Sequence, residues 1–184
     1  MEYLIRTDMG PKSRIPLGPG DNLWLGNIFN VQEMEKGVDR QKGFWAILNC
    51  TDDGALDHLK SDAEYDVIRL NQWDGEPYPG MSIKIGIEFI DMNLKAGSNV
   101  IVCCHAGVSR SAGMMVAYLT YRDIKSKFDN LTQAPMDYVR GAYENSKLIV
   151  RKARPFIQIH PAIDKSIRQY FRLSPRTLED LIGG

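Results

Sequence analysis

The chain has 184 residues, 43% of them apolar and 25% charged, and its 23 basic side chains balance 23 acidic ones. This length suits one compact domain with a real core, and the composition excludes disordered and collagen-like chains. Zero formal charge excludes a chain-wide nucleic-acid or membrane signature, and no apolar run reaches the about 18 residues of a spanning helix. Met1-Glu2-Tyr3 does not open a basic-then-apolar signal segment, so the expectation is a cytoplasmic protein with no nucleic-acid and no membrane partner. Cys50, Cys103 and Cys104 have no framework spacing and are read as core or reactive thiols rather than structural disulfides.

Residues 10–20 are rich in Gly and Pro and predict an irregular connection between a first short strand and Leu23-Trp24-Leu25. A buried strand is predicted over 43–49, ended by Thr51-Asp52-Asp53-Gly54, and another over 66–70. The segment from Asn71 to Gly80, with Trp73, Gly75, Pro77 and Pro79, reads as a loop. Over 81–95, Lys84, Glu88, Asp91 and Lys95 fall at helical spacing, while Ile83, Ile85, Ile87, Phe89, Ile90 and Leu94 make a wide apolar surface. That helix should be sandwiched, and Gly97 stops it. Val100 to Cys103 is apolar at every position, as in a central strand covered on both faces. A helix after Ser111 would turn Ala112, Met115, Val116 and Leu119 inward. Further helices are predicted from about Pro135 to Leu148 and from Pro161 to Leu173, the latter with Ile163, Ile167, Tyr170 and Phe171 inside. The pattern predicts an α/β fold with a central mixed sheet, one domain over 1–184 and a short tail from about 174.

The informative segment is Cys104-His105-Ala106-Gly107-Val108-Ser109-Arg110-Ser111, between the buried strand and the next helix. A helix N-terminus offers unpaired N–H groups and favours anions. Gly107 lets the chain curl so that the amides of His105, Ala106, Gly107, Val108 and Ser109 converge into a nest for a phosphate dianion. The planar Arg110 guanidinium can clasp two phosphate oxygens. The same donors would stabilise a Cys104 thiolate, since cysteines so placed fall to a pKa of about 3.5–7.5 from about 8.5.

These residues, from Val102 to Gly113, resemble the Cys-x5-Arg-Ser/Thr signature of the protein tyrosine phosphatase superfamily, and Ala106 to Ser111 followed by Ala117-Tyr118-Leu119 resembles its dual-specificity branch. Leu23-Trp24-Leu25-Gly26, Ile47-Leu48-Asn49, and Tyr138-Val139-Arg140 through Arg154-Pro155 extend the likeness along most of the chain. The resemblance implies a mostly parallel sheet of about five strands flanked by helices. It implies a phosphorylated protein as substrate and partner, with no cofactor and no metal. Cys104 would be the nucleophile and Arg110 the phosphate clamp. The general acid would lie about 30 residues earlier, where Asp74 fits, with Glu76 as its rival, Gly75 as hinge and Trp73 as anchor. Ser111 would donate to the thiolate, cap its helix, or do both, and Ser109 would brace the loop. The sequence departs from the family at Cys103, where a His is usual, and at Ile159-His160-Pro161, where many relatives carry a Pro-Asn pair.

His58, His105 and His160 lack metal-ligand spacing, and His105 reads as a rim residue. Lys147, Arg151, Lys152 and Arg154 read as a solvated helical face rather than a docking surface. Cys50 ends a core strand, as Cys104 does, and is a candidate redox partner should the two α-carbons approach to about 5.5 Å. The predicted activity is hydrolysis of phosphotyrosine, and of phosphoserine or phosphothreonine in a shallow cleft, through a phosphocysteine. The alternatives are the same chemistry on a phosphoinositide, a phosphoglucan or an RNA 5′ end, and a non-catalytic phosphopeptide-binding module. Substrate identity and oligomeric state are not legible in the sequence.

Overall fold

Strand β5 (Asn99–Cys104) is buried at every position, and its side chains divide between two apolar layers. A computed structural model describes residues 11–17, 22–37, 43–52, 54–59, 61 and 65–173. Val100, Val102 and Cys104 face the larger layer, while Ile101 and Cys103 face the smaller one. This alternation is the period-2 geometry of a strand.

Around β5 lie β2 (Leu23–Asn27) on one side and β3 (Trp45–Asn49) on the other, with β1 (Ser13–Ile15) and β4 (Tyr65–Arg69) outside them. The order is β1-β2-β5-β3-β4, and β1 alone among these described strands pairs antiparallel. The mixed, mostly parallel five-stranded sheet agrees with the expected class. Strand β1, however, falls inside the segment predicted as irregular. It is a three-residue edge strand flanked by Pro11 and Pro16, too short for a period-2 signal. The predicted earlier strand and the tail from 174 lie outside the described residues.

Helix α1 (Ile28–Glu35) covers the smaller layer with Ile28, Val31 and Met34. The sequence reading missed it because its start is set by a cap of two asparagines: Asn30 N–H donates to Asn27 Oδ1 at 2.9 Å and Asn27 N–H to Asn30 Oδ1 at 3.0 Å. The larger layer is closed by α2 (Gly80–Lys95), α3 (Arg110–Lys125), α4 (Met136–Ala153) and α5 (Pro161–Tyr170). As expected, α2 is sandwiched, packing on β3, β5, α3 and α5, although Ile85 remains 37% exposed. The inward positions of α3 are all buried, so it is the central helix. Helix α4 runs past Leu148 to Ala153, and α5 stops at Tyr170.

Candidate active site

Parallel strands β2, β5 and β3 end on one edge of the sheet, and the chain leaves β5 at Cys104 into the loop 105–109 before α3. Ligand sites of open α/β sheets lie outside such carboxyl ends. The loop turns at Gly107, whose φ of +67° favours glycine; a Cβ there would lie 2.6 Å from the Gly26 carbonyl oxygen at the end of β2. Two backbone bonds hold the loop from the segment before α5. Gln158 N–H donates to the Val108 carbonyl at 3.1 Å, and His160 N–H donates to Ser109 Oγ at 3.0 Å. These bonds come from the segment that holds Ile159-His160-Pro161, and through its hydroxyl Ser109 ties the loop to that segment. The N–H groups of Ala106, Gly107, Val108 and Ser109 donate to no acceptor among the described residues. Successive unspent amides at a helix start make an anion-binding concavity.

Cys104 Sγ lies 3.1 Å from Ser111 Oγ, both buried, so the hydroxyl can donate to the sulfur. The cap position of α3 is Ser109, and Ser111 therefore does not cap. Arg110 is 5% exposed. Its Nη1 donates to Asp52 Oδ1 and to the Gln72 carbonyl, each at 3.0 Å. Its Nε–H has no hydrogen-bond acceptor among the described residues and stands 3.6 Å from Asp74 Oδ1. One edge of the guanidinium is thus anchored, and a donor remains for a ligand. Beneath it, Tyr78 O–H donates to the Arg110 carbonyl at 3.1 Å.

Residues 23–171 match the family model described as "Dual specificity phosphatase, catalytic domain". The chain belongs to this family. It is 29% identical over 122 residues to the protein-tyrosine-phosphatase MKP1 of Arabidopsis thaliana, a match spanning 66% of this chain and 14% of that protein. Among solved structures, OH1 from the Orf virus, titled a tyrosine phosphatase with triple substrate specificity, superposes with a TM-score of 0.73 at 12% identity, covering 90% of this chain and 88% of that one. DUSP15 gives 0.64 at 16% identity, with 88% of each chain covered. PTPMT1, solved in complex with PI(5)P, gives 0.60 at 18% identity, covering 88% of this chain and 94% of that one.

In this dual specificity phosphatase domain the loop carrying Asp74 is built differently from the sequence expectation. Trp73 does not anchor it, being 68% exposed. Gln72 does: buried, it donates from Nε2 to the carbonyls of Trp73 at 3.1 Å and Glu76 at 2.8 Å while its own carbonyl receives Arg110. Gly75 has a φ of +80°, with the His160 ring packed against it. Of the two candidate acids, Asp74 is the one beside Arg110. His105 meets Phe29 edge-on at 6.2 Å between ring centres, a rim position.

Asp52 and Gln72 escaped the sequence reading, because neither belongs to the contiguous signature. The acidic pair closing β3 was the available signal for Asp52. Cys103, where the resemblance leads one to expect His, points away from Cys104 into the layer under α1 with Trp45 and Ile47, so it packs as core. The four-residue basic group also divides. Arg154 is 1% exposed and donates to the carbonyl of Pro11 at 2.9 Å, tying the segment before β1 to the loop at Gly107. Burial lowers its pKa, and the nearby Cys104 opposes that shift. Lys147 pairs with Asp164 at 3.0 Å, leaving Arg151 and Lys152 on the exposed face.

Cys50 follows β3 one position after the Asn49–Cys103 pair, and its N–H donates to the Cys103 carbonyl at 2.8 Å. Cys50 and Cys104 are therefore neighbours on adjoining strands, which lie about 4.8 Å apart, and both face the larger layer. That spacing falls within disulfide range. Burial pushes the Cys50 thiol up to about 12, against the opposing effect of its hydrogen bond to Tyr78.

Proposed function

We propose that this chain hydrolyses phosphomonoesters on proteins, phosphotyrosine foremost and phosphoserine or phosphothreonine with it, through a phosphocysteine intermediate. The observation that carries the reading is the set of unspent donors at one loop, the Ala106 to Ser109 amides and the buried Arg110 Nε, beside the Cys104 thiol. Fixed donors of this kind suit a tetrahedral dianion and the charge that develops on it in the transition state. The Cys104 thiolate attacks phosphorus in line. The bond to the ester oxygen breaks, and that oxygen takes the proton of Asp74. Water then attacks the phosphocysteine and gives its proton to the Asp74 carboxylate. The sulfur–phosphorus bond breaks, and its electron pair returns to Cys104, stabilised by a hydrogen bond from Ser111.

Asp74→Asn tests the acid. Turnover of a phosphotyrosine peptide should fall by about 10²–10⁴-fold. Para-nitrophenyl phosphate, whose leaving group needs less protonation, should lose much less. Equal losses on both substrates would remove Asp74 from this role, and a substrate-selective loss in Glu76→Gln would transfer it to Glu76.

A second reading keeps the chemistry and changes the substrate, on the strength of the fold shared with PTPMT1, whose structure holds PI(5)P. The loop interior from His105 to Ser109 has no Lys or Arg to meet further phosphates, which favours proteins. A panel of phosphopeptides beside inositol phosphates separates the two readings.

The same reading makes Cys50 the redox partner of Cys104. Peroxide would oxidise the Cys104 thiolate to a sulfenic acid, and the Cys50 sulfur would displace hydroxide from it, forming the disulfide and water. A Cys50 pKa of about 12 leaves about one thiolate in 10⁵ at pH 7, rising about tenfold for each unit of pH. The ratio of linked Cys104 to sulfinic Cys104 after mild peroxide, read by mass spectrometry, should therefore rise between pH 7 and pH 8.5. Sulfinic or sulfonic acid at Cys104 with no Cys50 link at either pH would reject the pairing.

A further inference from the structure

Between α4 and α5 lies a groove of about 680 Å³ whose lining includes Lys147, Leu148, Arg151, Ile157, Ile159 and Lys165. Its floor is aliphatic, and Leu148 at the mouth is 54% exposed. The two carboxylates on its walls are already engaged. Asp164 accepts from Tyr143 O–H at 2.5 Å and from Lys147 at 3.0 Å, and Glu144 pairs with Arg168 at 3.6 Å. Arg151 and Lys165, by contrast, have no ion pair among the described residues. An apolar floor rimmed by cations without counter-charges is complementary to one kind of occupant.

We propose that this groove docks a peptide segment of a protein partner in which acidic residues alternate with aliphatic ones. Aliphatic side chains would fill the floor along Ile157, Ile159 and Leu148, and carboxylates would meet Arg151 and Lys165. The site is separate from the phosphate loop yet built on the same backbone. Ile157 and Ile159 line the groove, while the N–H groups of Gln158 and His160 hold Val108 and Ser109. A docked partner thus touches the strip that supports the catalytic loop. The inference stands on the groove and is independent of which phosphomonoester is hydrolysed.

The test is fluorescence anisotropy with the full chain and a labelled twelve-residue peptide alternating Leu or Ile with Glu or Asp, beside a control with Lys at every acidic position. Saturable binding of the acidic peptide alone is expected. Arg151→Glu with Lys165→Glu should weaken it by about tenfold or more, or about 1.4 kcal/mol, as should Leu148→Glu. Turnover of para-nitrophenyl phosphate by these variants should stay unchanged, showing that they fold. No binding, equal binding of both peptides, or binding indifferent to the charge reversals would overturn the proposal. Binding that emerges only in Glu179→Lys with Asp180→Lys would also overturn it, since the groove would then belong to the chain's own C-terminal segment.

Discussion

Cys104→Ser should lower turnover of para-nitrophenyl phosphate by on the order of 10⁴-fold or more while leaving a folded chain that still binds a phosphotyrosine peptide. The substitution replaces sulfur by oxygen in a buried site at the end of β5, 3.1 Å from Ser111. It changes little volume, so melting should shift by no more than a few degrees. A serine hydroxyl ionises far less readily than a thiol, and the two histidines near the site are otherwise placed: His105 faces Phe29 on the rim, and His160 packs its ring on Gly75 while its Nδ1 accepts from Ala162 N–H. The loop amides and Arg110 are untouched, so ground-state binding of the phosphate survives. Steady-state kinetics with anisotropy on the same preparation check both halves. A serine variant retaining a tenth of the native rate would end the covalent mechanism.

The second large effect is expected at Arg110. Arg110→Lys keeps the charge but loses the planar fork, which here has one edge fixed by Asp52 and the Gln72 carbonyl and its Nε turned toward Asp74. An ammonium group has three donors on one atom, so it cannot keep both anchoring bonds and still offer phosphate two parallel N–H groups. Loss in kcat/KM of about 10³-fold is expected, comparable to removing a strong transition-state donor. Asp52→Asn gives the graded companion. It frees the guanidinium from its carboxylate without deleting it, so kcat should fall by about tenfold while KM changes little. If Asp52→Asn were silent, orientation of Arg110 by Asp52 would be unimportant. If Arg110→Lys kept near-native kcat/KM, the clamp itself would be misassigned.

These two expectations differ in how far they could be read without a fold. The Cys104–Arg110 loop was legible because its chemistry is contiguous: seven successive residues supply the proposed nucleophile, the turn glycine, the amides and the guanidinium. Strand β5 and helices α2 and α3 were legible too, since a continuous apolar run or a 3.6-residue spacing is local information. Strand β1 and helix α1 were not. One is three residues on a sheet edge, and the other is started by a pair of asparagines whose bonds cannot be seen in a hydropathy pattern. Trp73 misled for a related reason. A tryptophan in a loop suggests an anchor, yet Gln72 makes the bonds and the indole is left in solvent.

By itself the chain determined its glycine-turned loop after Cys104, the apolar strand before it and the amphipathic helices around it, because each depends on residues within a turn or two of one another. Tertiary structure alone decided what surrounds that loop. The insertion of β5 between β2 and β3 brings Asp52 and Cys50 to its edge, seats Gly107 on Gly26, and turns Cys103 to the opposite layer. Strand order is set by the burial of whole faces against one another, a sum over distant residues that no local spacing records.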